Sequence, residues 1–186
     1  MKLALRIEEI EKSFDRKIKR NTVVLGIDTA STTGWAILST EKDLLYIDYG
    51  TIKVDAKNRY FKYNEIIDIF SNLIKEEYNV IVEDTFLKMF KIKGKSVMSC
   101  NPAMFRMISR IGAIAYTIAH LRGCNVIYMG ASTARKNLGI KGNAKKADAH
   151  LHFHKMLKLE FINEDVTDAL ILSFNGLLQD KECLPV

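Results

Sequence analysis

Cysteine is scarce in this 186-residue chain. Its three copies, Cys100, Cys124 and Cys183, stand far apart, and none belongs to a Cys-x-x-Cys pair. That excludes a disulfide scaffold and points to free thiols in a reducing, cytoplasmic setting. Proline occurs twice and glycine ten times, too rarely for a collagen-like or low-complexity chain. No apolar run reaches the ~20 residues of a membrane span. The longest, Ile111 to Leu121, is interrupted by Tyr116, Thr117 and His120. A secretory core is missing from the first residues, where Arg6, Glu8, Glu9, Glu11 and Lys12 intervene. A membrane partner is therefore not expected.

The most telling absence is acid. From Thr85 to Ala147 there is no Asp or Glu. The same stretch holds twelve bases: Lys88, Lys91, Lys93, Lys95, Arg106, Arg110, Arg122, Arg135, Lys136, Lys141, Lys145 and Lys146. The whole chain carries only +6, so the rest is net acidic. A solvated surface ordinarily mixes signs. A one-signed third of a chain points to a polyanionic partner, nucleic acid first.

What remains is a chain 48% hydrophobic and long enough for one well-buried core. Residues 1–20 read as a charged helical extension, with Leu3, Ile7, Ile10 and Phe14 at helical spacing. It either docks on the body, forms a dimer contact, or meets phosphate through Arg16, Lys17, Lys19 and Arg20. Residues 21–186 read as one domain. Thr22–Ile27, Gly34–Leu38 and Leu44–Ile52 form an antiparallel three-strand meander. Arg59–Glu77 is an amphipathic helix, and Asn79–Glu83 a short buried strand. Phe86–Asn101 is a long basic loop. Pro102–Leu121 is a helix with Pro in its first turn and Gly123 past its end. Asn125–Met129 is a fifth strand. Short helical pieces from Ser132 and Ala144 follow, and Asn163 caps a last helix to about Leu178. The pattern is α/β, one mixed five-stranded sheet (the meander plus two parallel strands) flanked by helices.

Four acids stand out by position. Asp28 and Glu83 each end a hydrophobic strand, and Asp165 and Asp168 share one face of the last helix. Carboxylates in apolar surroundings are costly unless compensated. Several together repel and call for a cation, for which hard oxygens suit Mg²⁺ or Mn²⁺. Two such ions can activate water and stabilise the leaving oxygen of a phosphodiester. Asp165 can instead be an ordinary first-turn acid, and Glu83 can pair with a base. Asp84 should point to the opposite side. Of His150, His152 and His154, only the first and last share a helix face, which makes a zinc site a poor fit.

The run Val24-Leu25-Gly26-Ile27-Asp28-Thr29-Ala30-Ser31-Thr32-Thr33-Gly34-Trp35-Ala36 resembles the first strand and turn of RuvC-type Holliday-junction resolvases. Val80-Ile81-Val82-Glu83-Asp84-Thr85-Phe86 is similar to that family's second carboxylate strand. Gly139-Ile140-Lys141-Gly142-Asn143-Ala144-Lys145-Lys146 resembles its glycine-alanine-lysine segment, and Asp165-Val166-Thr167-Asp168-Ala169-Leu170 its closing pair of ligands. The resemblance implies an RNase H-like fold, a homodimer, two Mg²⁺ ions per site with Mn²⁺ able to substitute, and paired nicks across a four-way DNA junction. It implies that Asp28, Glu83, Asp165 and Asp168 are metal ligands. Lys146, or its neighbour Lys145, becomes the lysine beside the scissile phosphate. Arg135 and Lys136 fall at a basic DNA-contact position. Phe86 is either the aromatic that stacks on an opened base or a core residue. Lys88, Lys91, Lys93, Lys95, Lys141 and Lys145 complete the expected DNA face.

Two features depart from the family pattern. Phe86 to Asn101 is longer and richer in lysine, and the glycine-rich entry to the next helix is blurred to Arg106-Met107-Ile108-Ser109-Arg110-Ile111-Gly112. Broader cleavage of forks and flaps, or of RNA–DNA hybrids, is the alternative on this fold. An actin-like ATPase shares the Gly-Ile-Asp turn but needs two such domains. A non-catalytic junction binder would have lost a carboxylate, and all four are present.

Overall fold

β2 (Val23–Asp28) is the strand on which the rest is laid. The computed structural model describes residues 3–30, 32–53, 59–85, 89–92, 95–98, 102–157 and 164–178; at 59–62, 89–92, 95–98, 164 and 165 it describes backbone alone. β2 runs antiparallel to β3 (Thr32–Glu41), which pairs in turn with β4 (Leu44–Lys53). On its other side β2 is parallel to β5 (Asn79–Glu83), and β5 to β8 (Asn125–Met129). The α/β class and the meander-plus-parallel arrangement match the expectation. The strand count does not: β1 (Leu3–Arg6) pairs antiparallel with β4, giving six strands in the order β1-β4-β3-β2-β5-β8.

The first residues are thus a strand followed by a short helix, α1 (Ile7–Phe14), rather than one long helix. The open edge of β4 offers unpaired backbone groups, and Leu3 and Leu5 alternate onto the core as strand residues do. The basic segment also holds more order than expected. β6 (Met89–Ile92) and β7 (Lys95–Met98) form a separate antiparallel pair. Their lysines break the apolar pattern, and neither Met-Phe-Lys-Ile nor Lys-Ser-Val-Met alternates as a half-buried strand would.

Helices cover both faces. α2 (Arg59–Leu73) and α3 (Pro102–Leu121) bury Ile66, Phe70, Ile111 and Ala115 against Leu25, Ile27, Val80 and Val82. α2 stops short of the expected Glu77, which sits in the left-handed region at φ 64. On the other face lie α1, α4 (Ala131–Asn137), α5 (Lys146–Leu157) and α6 (Glu164–Leu177). Val24, Ile81 and Leu38 meet Phe153, Leu170 and Phe174 there. Gly26 lets α6 seat directly on β2, because a Cβ at Gly26 would run into the Ala169 carbonyl and Ser173 Oγ. Among the described residues no helix is long and apolar enough to cross a membrane.

Candidate active site

Alternation along β2 sends Leu25 and Ile27 to the α2–α3 face and Val24 to the α6 face, so Asp28 follows Val24. On β5, Ile81 marks the same α6 face, and Glu83 shares it. Because Ile27 pairs with Val82, the two strand-ending carboxylates stand side by side. Asp28 is 4% exposed. α6, held close by Gly26, brings Asp168 over them.

Lys146, the first residue of α5, reaches into this group. Its Nζ lies 3.8 Å from Asp28 Oδ2 and 3.8 Å from Asp168 Oδ2. Burial, the hydrogen bond with Asp28, and the charges of Asp28 and Asp168 push Glu83 up to about 10. Lys146 opposes that shift without cancelling it. Burial and the neighbouring acids thus keep a proton on Glu83 when no cation is bound.

Arg135 on α4 is the residue that sequence reasoning misplaced in emphasis. It was expected to face DNA. Its guanidinium instead turns inward: NH2 donates to Asp168 Oδ1 at 2.8 Å and Oδ2 at 3.0 Å, and NH1 to the Ala144 carbonyl at 3.1 Å. The sequence signalled a base at the end of a short helix but not its direction. A second unanticipated tie joins α5 to α6. His150, one turn beyond Lys146, has its Nδ1 2.6 Å from Thr167 Oγ1. Thr29 and Thr85, which follow the two strand carboxylates closely in the chain, share a hydroxyl hydrogen bond of 3.0 Å.

The remaining candidates divide. Asp165 lies on α6 one turn before Asp168, with its side chain outside the described residues. Lys136, Lys141 and Lys145 are exposed on α4 and the loop leading to α5. Lys91 and Lys95 belong to the β6–β7 pair, described in backbone alone, while Phe86, Lys88 and Lys93 lie outside the described residues. Asp84 is exposed, and its charge acts on Tyr128 across the α3 face, away from Glu83. Among the described residues no three acids, histidines or cysteines are arranged to hold a metal ion, and the side chain of Asp165, the fourth expected ligand, is not one of those described.

Residues 24–175 match the family model for crossover junction endodeoxyribonuclease RuvC. The chain belongs to the RuvC family. A RuvC from Ehrlichia canis (strain Jake) is 27% identical over 159 residues, covering 81% of this chain and 92% of that one. The structure of Thermus thermophilus RuvC superposes with a TM-score of 0.63 at 17% identity, over 85% of this chain and 99% of that chain. The Thermus enzyme in complex with a Holliday junction substrate gives the same TM-score over 82% of this chain and 90% of that one. The chain is thus a RuvC-type crossover junction endodeoxyribonuclease on the RNase H-like fold, and its first 23 residues precede the span that matches the RuvC model.

Proposed function

We propose that this chain resolves four-way DNA junctions by paired symmetric nicks, with divalent cations held by Asp28, Glu83, Asp165 and Asp168. The observation that carries the reading is the convergence of Asp28, Glu83 and Asp168 about the Lys146 ammonium. The donor set fits Mg²⁺, or Mn²⁺ in its place: every donor is a hard carboxylate oxygen, and Glu83 carries a proton that a cation would displace. When bound, such ions activate water and stabilise the leaving oxygen. The chain's own residues do the rest. Lys146 neutralises charge that builds on the phosphate. Arg135 holds Asp168 in one orientation. Lys136, Lys141 and Lys145, exposed on α4 and the loop leading to α5, grip neighbouring phosphates, and the lysines of the β6–β7 segment extend that grip while Phe86 stacks on an opened base.

Residues 21–186 act as one nuclease domain with 1–20 as its extension. A homodimer would set two sites on two strands of like polarity. The groove between α2 and α3 supports it, about 790 Å³ and lined by Tyr63, Ile67, Arg110, Ala113, Ile114, Thr117 and Ile118. Ile67 is 41% exposed there, the kind of apolar surface a second copy covers. The chain works with its DNA in the cytoplasm.

The test is a denaturing gel of strand-labelled junctions incubated with protein and Mg²⁺, beside a Y-fork, a flap and an RNA–DNA hybrid. Two symmetric cuts confined to the junction are expected, and Asp28→Asn should bind the junction without nicking it. Equal cutting of forks and flaps would replace junction resolution with general debranching. Undiminished cutting by Asp28→Asn would remove the site assignment.

A further inference from the structure

The segment ahead of residue 24, outside the span that matches the RuvC model, is built into the core. Ile7 and Ile18 are 0% and 1% exposed. After β1 joins β4, the Ile7 amide donates to the Asp43 carbonyl, and α1 crosses to the helices that carry the active-site cations. Phe14 packs its ring 6.4 Å from Phe153 of α5 and 5.3 Å from Phe174 of α6. Ser13 Oγ, 2.9 Å from the Glu9 carbonyl of its own helix, also lies 3.3 Å from the Met156 carbonyl near the end of α5. Asp15 turns the chain at φ 50. Arg16 NH1 then donates to the Asn137 carbonyl at the end of α4, at 3.2 Å. The Lys19 amide and Nζ donate to Leu177 and Gly176 of α6, both at 3.0 Å.

One short segment therefore ties down the C-terminal ends of α4, α5 and α6. These are the helices that bear Arg135, Lys146 and Asp168. The geometry matters most for α5. Lys146 stands at its first residue; the Phe14 contact at Phe153 and the Ser13 contact at Met156 lie about 10 and about 15 Å along the axis at ~1.5 Å per residue. His150 lies between, hydrogen-bonded to Thr167. A helix pinned near its middle and at its far end holds its near end still. Freed at the far end, it can tilt about His150 and swing the Lys146 ammonium out from between Asp28 and Asp168.

We propose that the N-terminal segment is a strap that sets the position of Lys146, with Phe14 as a positioning residue for the nuclease reaction. The inference rests on the proposed nuclease reading. Phe14→Ala in the full chain is the test, compared with Ile74→Ala. Ile74 is fully buried in the other core, against α2 and α3, so its loss destabilises the fold without touching α5. Both proteins are assayed well below their melting temperatures. The first measurement is single-turnover nicking of saturating junction in Mg²⁺, with junction affinity measured separately in Ca²⁺. Phe14→Ala should lower the nicking rate by tenfold or more, since displacement of a catalytic group by about 1 Å can cost as much as ~100-fold. Its junction affinity should stay within about twofold, because the exposed lysines that would grip phosphate are untouched. Phe14→Leu should recover most of the rate, and Ile74→Ala should nick like the wild type.

The second measurement is amide hydrogen exchange over Lys146–Leu157, which needs no cleavage. Exchange should quicken in Phe14→Ala and not in Ile74→Ala. Equal slowing of nicking in both variants, or unchanged exchange across α5, would overturn the strap. A wild type that nicks no DNA while α5 loosens as described would instead remove the nuclease reading and leave the strap standing.

Discussion

Arg135 grips both carboxylate oxygens of Asp168 through one guanidinium, and the same group holds the Ala144 carbonyl two residues before Lys146. Side chains of the pair are 13% and 12% exposed. A bidentate fork fixes the rotation of a carboxylate as a single lysine contact cannot. It also supplies positive charge to a site crowded with acids. Arg135→Gln should therefore act first on the fold. Removing one partner of a buried ion pair costs about 3–5 kcal/mol, read as a lower melting temperature in EDTA. Mg²⁺ should restore more stability to this variant than it adds to the wild type. Nicking should fall about 10–100-fold, the usual cost of losing a group that orients a metal ligand. An arginine that only met DNA would behave otherwise: the melting temperature would hold and junction affinity would drop.

The two strand carboxylates were legible because each closes a run of β-branched and aliphatic residues, and parallel pairing of such runs sets their ends level. Asp168 was legible from helical spacing. The inward turn of Arg135 was not, since a base on a short helix looks alike whether it faces solvent or a carboxylate 33 residues further along the chain. β1 was missed for a related reason. Leu3 and Leu5 alternate, but Ile7, Ile10 and Phe14 immediately impose the helical period and absorb them into one pattern. Only the unpaired edge of β4, a tertiary fact, decides between strand and helix there. β6 and β7 were hidden by lysine, a poor strand former: Lys91 pairs with Ser96 and Lys95 with Ile92, so the two fall on opposite faces and neither face reads as apolar.

Glu83 makes metal-free stability depend on pH. Its carboxyl moves from the ordinary 4.5 to about 10, through burial and the neighbouring acids. Between those values the folded chain keeps a proton that the unfolded chain has lost, so rising pH favours unfolding. The melting temperature in EDTA should fall steadily from about pH 5 to about pH 9. Glu83→Gln should flatten that slope. Saturating Mg²⁺ should also flatten it, and calorimetry in buffers of different ionisation enthalpy should register proton release on binding. A wild-type profile already flat in EDTA would show that Glu83 is ionised without a cation.

Clustered cations make junction binding sensitive to salt. Each phosphate neutralised on duplex DNA contributes about −0.9 to the slope of log K against log salt. Lys136, Lys141 and Lys145 are exposed on α4 and the loop leading to α5, so replacing any one with Gln should make the slope shallower by about 1 and weaken all DNA sequences alike. Titration by fluorescence anisotropy from low to moderate salt measures this. Identical slopes for wild type and all three variants would move the DNA path off this face.

Gly26 offers a way to move the site without altering any charged group. It lies on β2 two residues before Asp28, where α6 approaches so closely that a Cβ would meet the Ala169 carbonyl and Ser173 Oγ. Ser173 Oγ is already committed, its one proton placed between the Ala36 and Ala169 carbonyls at 2.8 and 2.9 Å. Backbone on one side and a bonded hydroxyl on the other leave little to yield, so Gly26→Ala must lift α6. Overpacking of this kind costs about 1–3 kcal/mol. Asp168 precedes Ala169 and rises with it, away from Asp28 and Lys146. Gly50→Ala is the matched control. A Cβ at Gly50 meets the Trp35 ring on the neighbouring strand, on the sheet face opposite α6. Both variants should melt at lower temperature, but at a temperature where both are folded only Gly26→Ala should lose nicking, and it should need more Mg²⁺ to recover. Equal nicking by the two would mean that the spacing between β2 and α6 does not set the distance from Asp168 to Asp28.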